Sequence, residues 1–208
     1  MPEVNALTVK DLREKTGAGV MDCKKALAEA DGDLEKAILW LRERGIAQAA
    51  KRVGRVASEG SVGAYIHAGG KLGVLVEVNC ESDFVAKTSE FQTLVKEVAM
   101  QIAATSPRAV RREEIPPGVV EQERQIYAAQ SSGKPQAVID KIVDGKLAKF
   151  YRDACLIEQP WVRDPNKTIL DLVNQAAAKM GEKIEIRRFV RFQLGHNDES
   201  TPASANSA

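Results

Sequence analysis

The sequence predicts an α+β protein. A small N-terminal module of three helices should precede a core in which a small antiparallel sheet is packed by helices, with a projecting helical hairpin. Three observations carry this expectation. Apolar residues recur at helical spacing through the first 45 residues. The period then switches to alternation on both sides of Gly69-Gly70, the pattern of a β-hairpin. Helical stripes return afterwards, two of them separated only by Ser131-Ser132-Gly133-Lys134-Pro135.

The first helix, over residues 9–15, stops at Thr16-Gly17-Ala18-Gly19, where two glycines free the chain to turn. A second carries Cys23, Ala26, Leu27 and Ala30 at i, i+3, i+4 and i+7, which is one apolar face. Gly32 suits a left-handed stop, and Asp33 is a good N-cap for the next helix. That third helix places Leu34, Ala37, Ile38 and Leu41 on one side and is expected to end at Gly45. Helices this short bury little apolar area, so residues 1–45 should be marginally stable alone. The pattern resembles the ubiquitin-associated fold, a small interaction module.

Residues 46–59 are Ala-rich and basic, with Lys51, Arg52 and Arg55, and read as a linker containing a short helix. It is either a solvated connector or a contact for a phosphate backbone. The core should run over residues 60–195. Val62, Ala64 and Ile66 alternate with Gly63, Tyr65 and His67 before Gly69-Gly70, expected as a two-residue turn with positive φ at both glycines. Leu72, Val74, Val76 and Val78 alternate on the return. A third strand is expected over residues 183–194, with a bulge where its alternation slips between Ile186 and Phe189. Phe91, Leu94, Val95, Val98 and Ile102 form one helical stripe. Ile169, Leu172, Val173, Ala176 and Met180 form another, opened by the capping pair Thr168 and Asp171. Between them, helices over residues 119–131 and 135–155 make the hairpin, spanning residues 119–156. The tail, residues 196–208, is small and polar and is expected to be disordered.

Several function classes fall away. Thirty Lys and Arg against 29 Asp and Glu leave a net charge of +1, unlike the basic excess of a protein that coats nucleic acid. The only histidines are His67 and His196, and Cys23, Cys80 and Cys155 lie far apart. They offer neither a zinc centre nor a disulfide framework, as expected in a reducing cytosol. No Gly-x-Ser-x-Gly elbow exists, and Gly69-Gly70-Lys71 lacks the spacing of a phosphate loop. No apolar run approaches bilayer length, and no secretory pattern opens the chain. A cytoplasmic binding protein is therefore expected: not an enzyme, with no catalytic residues, no metal, no cofactor and no membrane partner.

The most informative stretch is Asn79-Cys80-Glu81-Ser82-Asp83-Phe84-Val85-Ala86-Lys87, a loop between strand and helix. By residue type alone, Ser82 or Asp83 would cap the next helix and Phe84 would either fill the core or face outward. The run from Thr16 to Leu27, Thr-Gly-Ala-Gly-Val-Met-Asp-Cys-Lys-Lys-Ala-Leu, resembles the N-terminal signature of bacterial translation elongation factor Ts. The run from Glu77 to Lys87 resembles that family's second signature, with Ser82 where the family usually has Thr. The chain resembles the short branch, with a single hairpin-plus-helix copy. The resemblance implies a guanine nucleotide exchange factor for elongation factor Tu, a GTPase, preferred in its nucleotide-free form. It implies that Ser82, Asp83, Phe84 and Val85 dislodge the GTPase's Mg²⁺, with Phe84 as an apolar wedge. It also implies that Val20, Met21 and Lys24 of the first module dock on the partner, with His67 as a further contact. By analogy two chains would pair, as a homodimer or a two-plus-two complex. Two rivals predict otherwise: a helix-binding adaptor built on the first module, and an RNA binder using Lys51, Arg52, Arg55, Arg187, Arg188 and Arg191.

Overall fold

The computed structural model describes residues 5–16, 18–52 and 54–195, and only the backbone of residues 46–51. The tail of residues 196–208, and His196 with it, lies outside the described residues, as do Gly17 and Val53. The chain divides into two compact units. One comprises Met1–Val62, Val78–Val95 and Leu170–Ile186; the other comprises Gly63–Glu77, Lys96–Ile169 and Arg187–Ala208.

The first unit opens with α1 (Ala6–Thr16), α2 (Val20–Glu29) and α3 (Leu34–Arg52). Their apolar faces meet as predicted: Val9, Leu12, Cys23, Ala26, Leu27, Ala30 and Ala37 form one cluster, flanked by Leu34, Ile38, Trp40 and Leu41. Between α2 and α3, Asp31 (φ 50) and Gly32 (φ 82) both take positive φ and reverse the chain. Asp33 then caps α3, its Oδ1 accepting from the Lys36 backbone N–H at 3.0 Å. The helix does not end at Gly45, however, but runs on to Arg52. A glycine stops a helix only where the backbone turns left-handed, and Gly45 is not among the glycines that do. The alanines at 47, 49 and 50 favour continuation. Arg42 on α3 holds both carboxylate oxygens of Asp171, at 3.2 and 3.0 Å. Asp171 belongs to the first turn of α8 (Ile169–Met180).

Strands β1 (Glu59–Ile66), β2 (Leu72–Cys80) and β5 (Glu185–Gln193) form a sheet in the order β1-β2-β5. The strands run antiparallel. His67 N–H donates to the Leu72 carbonyl at 2.8 Å, and Leu194 N–H to the Lys71 carbonyl at 2.9 Å. Near the other end of β1, Gly60 (φ 145) approaches β2 so closely that a Cβ there would lie 2.2 Å from the Val78 carbonyl oxygen. On β2, Val74, Val76, Val78 and Cys80 are buried and Leu75 is exposed, as the alternation predicts. On β1 the alternating Val62 and Ile66 face solvent. The turn is also longer than expected, since five residues separate the strands. Gly69 (φ 92) and Gly70 (φ 68) both take positive φ as expected, but His67 C=O accepts from Gly70 N–H at 3.0 Å, which puts Ala68 and Gly69 at the centre of the turn, in the type II pattern. On β5, Ile186 is buried, Arg187 and Arg188 are both exposed, and Phe189 and Arg191 are half-buried, so the facing shifts by one residue where the slip was predicted.

The helix α5 (Ser89–Thr105) buries its whole stripe of Phe91, Leu94, Val95, Val98 and Ile102. In the second unit, α6 (Pro117–Gln130) and α7 (Gln136–Ala154) form the predicted hairpin. Lys146 bridges it, donating to Gln130 Oε1 at 2.6 Å and lying 5.3 Å over the Tyr127 ring. At its base Ala109, Ile115, Ala154 and Cys155 cluster with Val119, Val120, Phe150 and Tyr151. Apolar spacing does not foreshadow a short hairpin of β3 (Pro160–Trp161) and β4 (Asp164–Thr168). It is fixed by the buried Gln101, whose amide donates to Gln159 Oε1 and the Pro160 carbonyl and accepts from Val162 N–H. A buried polar side chain without periodic neighbours leaves no mark in apolar patterning. No helix among the described residues is long and apolar enough to cross a membrane.

Candidate partner-binding site

The loop after β2 folds into a single helical turn, α4 (Asp83–Ala86). Ser82 is its N-cap, one of the two capping assignments open from residue type: its Oγ accepts from Val85 N–H at 3.4 Å. The far end is fixed by Thr88, whose hydroxyl donates to the Val85 carbonyl at 2.8 Å and accepts from Phe91 N–H at 3.2 Å. Gln92 adds a bond to the Ala86 carbonyl at 2.7 Å. Beneath the turn, Val85 and Ala86 are buried, and the Cys80 thiol donates to the Ser82 carbonyl at 3.1 Å. The turn is short but held on all sides.

Phe84 does not join that packing. Its side chain is 77% exposed, which excludes the alternative in which it fills the core. The ring is presented to solvent from a turn bonded at both ends. Beside it Asp83 is also exposed, and its carboxylate pairs with Lys87 at 2.7 Å. That hydrogen bond holds the Asp83 carboxyl below the usual range and raises the Lys87 ammonium. Of the four residues grouped by resemblance, Phe84 and Asp83 are therefore presented, Ser82 caps, and Val85 anchors from below.

Two residues without any signal in the local sequence brace the same loop. Glu182 Oε2 accepts from the backbone N–H groups of Glu81 and Ser82, each at 3.0 Å, and its Oε1 accepts from the Ser82 hydroxyl at 2.5 Å. In return Glu81 Oε1 accepts from Lys183 N–H at 2.5 Å and pairs with Arg55 at 3.3 Å. Lys183 Nζ closes the circuit on the Arg55 carbonyl at 3.1 Å. The Lys183 N–H, and Arg55 after it, hold the Glu81 carboxyl below its ordinary value. Glu182 lies 100 residues from Ser82, so no local pattern could have joined them.

In the first module Val20 (43% exposed), Met21 (74%) and Lys24 are all exposed on α2, Val20 at the border of the face that buries Cys23, Ala26 and Leu27 and Met21 on the far side. In the other unit His67 is exposed at the end of the β1–β2 turn, its Nδ1 3.0 Å from the Tyr65 hydroxyl. Of the basic residues grouped for RNA contact, Arg55 pairs with Glu81 and Arg188 with Glu77, at 2.6 Å for the latter. Both charges are thereby already partnered.

The sequence profile described as Elongation factor TS matches residues 21–198. A protein named Elongation factor Ts from Thermoanaerobacter sp. (strain X514) is 60% identical over 200 residues, covering 95% of this chain and 98% of its own. Proteins of the same name from Desulforamulus reducens and Desulfosudis oleivorans are 54% and 57% identical, over 96% and 94% of this chain and 93% and 100% of their own. The profile match takes in the whole run from Glu77 to Lys87, and the chain belongs to the elongation factor Ts family of translation elongation factors.

Proposed function

We propose that this protein is a guanine nucleotide exchange factor that acts in the cytoplasm on elongation factor Tu. It binds the GDP-bound GTPase, disturbs the Mg²⁺ site with the turn carrying Asp83 and Phe84, and releases GDP so that GTP can enter. The single observation that carries the reading is the exposure of Phe84 on a turn bonded at both ends. Family membership supports the partner and the general role. No bond is made or broken. The factor shifts an equilibrium by binding the nucleotide-free partner better than the nucleotide-bound one, because only differential affinity can do so.

The magnitudes fit a wedge. Fully burying a phenyl ring contributes roughly 1.5–3 kcal/mol. If that gain is realised only as the metal site opens, it speeds release by about ten- to a hundredfold, at about 1.36 kcal/mol per decade. Val20, Met21 and Lys24 supply docking that does not depend on the nucleotide state, with His67 as a lesser contact in the other unit. Stopped-flow release of fluorescent GDP from elongation factor Tu tests this. Phe84→Ala should fold normally and slow stimulated release by at least tenfold, and an unchanged rate would end the wedge reading.

Pairing of two chains belongs to the same proposal. In the second unit Ile66, Leu75, Phe192 and Leu194 are all exposed on the sheet and its β5 end, and Ile66 lies over Gly73. Apolar strand residues facing water in this way support association with a second copy.

A further inference from the structure

We propose that Glu182 is the positioning residue of the exchange turn: its carboxylate sets the direction in which Phe84 is offered. The proposal rests on the wedge reading of Phe84 and adds the residue that makes the wedge effective. Glu182 follows Gly181, whose φ of 78 ends α8 and turns the chain toward the loop. All three bonds to its carboxylate come from residues 81 and 82, immediately ahead of α4.

The chemistry of these bonds is directional. A carboxylate only accepts, so the Ser82 hydroxyl must spend its single proton on Glu182. Its lone pair is then left to accept from Val85 N–H, which fixes the first turn of α4 with Phe84 between the two bonded residues. Two backbone N–H groups at Glu81 and Ser82 converge on one oxygen, which locks the peptide orientation just before the turn. The return bond from Lys183 N–H to Glu81 makes the brace reciprocal, so residues 81–82 and 182–183 cannot slide past one another without breaking both halves. Exchange demands this stiffness. An apolar wedge that can fold back against its own loop spends its binding free energy on reordering instead of on opening the partner.

The test is Glu182→Gln, which keeps shape but cannot present acceptors to all three donors. With elongation factor Tu and fluorescent GDP, the release rate at saturating factor should fall about tenfold, the scale of one unmade charge-assisted bond. The factor concentration giving half-maximal release should stay unchanged, because the docking residues on α2 are untouched. In the Phe84→Ala background, Glu182→Gln should add no further loss. If Phe84→Ala slows release and Glu182→Gln does not, the positioning role is overturned while the wedge stands. Additive losses, or a raised half-saturation with a normal maximal rate, also overturn it. An unaffected Phe84→Ala protein overturns both proposals together. Should Glu182→Gln fail to fold by circular dichroism, Ser82→Ala removes the hydroxyl relay alone and must show the same split between rate and half-saturation.

Discussion

Phe84 and Phe91 stand seven residues apart and face opposite worlds: the first is 77% exposed, the second 0%. The same side chain is thus used once to face a partner and once to fill the interior. Phe91→Ala should cost about 3–5 kcal/mol of stability, the range for a buried aromatic truncated in a packed core. Phe84→Ala should change stability by no more than about 0.5 kcal/mol, as an exposed substitution does. Urea unfolding of both variants decides it, and a destabilised Phe84→Ala protein would mean that the ring packs inward in solution.

The Glu81 carboxyl offers a pH test of the brace. Its folded value is depressed, first by the Lys183 N–H and then by Arg55. A depressed acid stabilises the fold above its unfolded value, here 4.5, and that contribution disappears as pH falls through the lower folded value. The Lys183 amide proton, followed by NMR, should therefore titrate with a midpoint below 4.5. A midpoint at or above that value would show that the bond is not formed.

Three thiols are buried, and each is held in its neutral form by desolvation. Burial pushes Cys155 up to about 11. None of Cys23, Cys80 and Cys155 should react with a disulfide reagent at mildly alkaline pH until the protein is unfolded, since the thiolate is the reactive species. Rapid labelling of any of them in the native protein would contradict the packing around it.

The sheet face makes a prediction about association. Sedimentation equilibrium should find paired chains, and Phe192→Glu should return them to monomers with an unchanged circular dichroism spectrum. A native protein that stays monomeric at tens of micromolar would remove pairing from the proposed function.

Much of the fold was legible in the residues themselves. The Asp33 cap, the α5 stripe and the hairpin of α6 and α7 rest on residues within a few positions of each other, where spacing and capping chemistry act directly. The loop could be located from its position between a strand and a helix, but the direction of Phe84 could not. An apolar residue beside a cap fits both a plug and a wedge, and the choice depends on what already fills the space beneath, here Val85 and Ala86. Glu182 was invisible for a different reason, because a brace joining residues 100 apart leaves no periodicity. Gly45 misled, since a glycine without a left-handed turn to serve is merely a weak helix residue.

Gly60 has a consequence for genetics. At that position the first atom of any side chain would strike main chain, an obstacle that no rotamer can avoid. A library scored for soluble protein should be depleted of every replacement at position 60 while accepting nearly all at position 84. Scored for growth under demand for rapid translation, the same library should reject both. The contrast between those two selections separates codons that keep the chain assembled from the codon through which it acts.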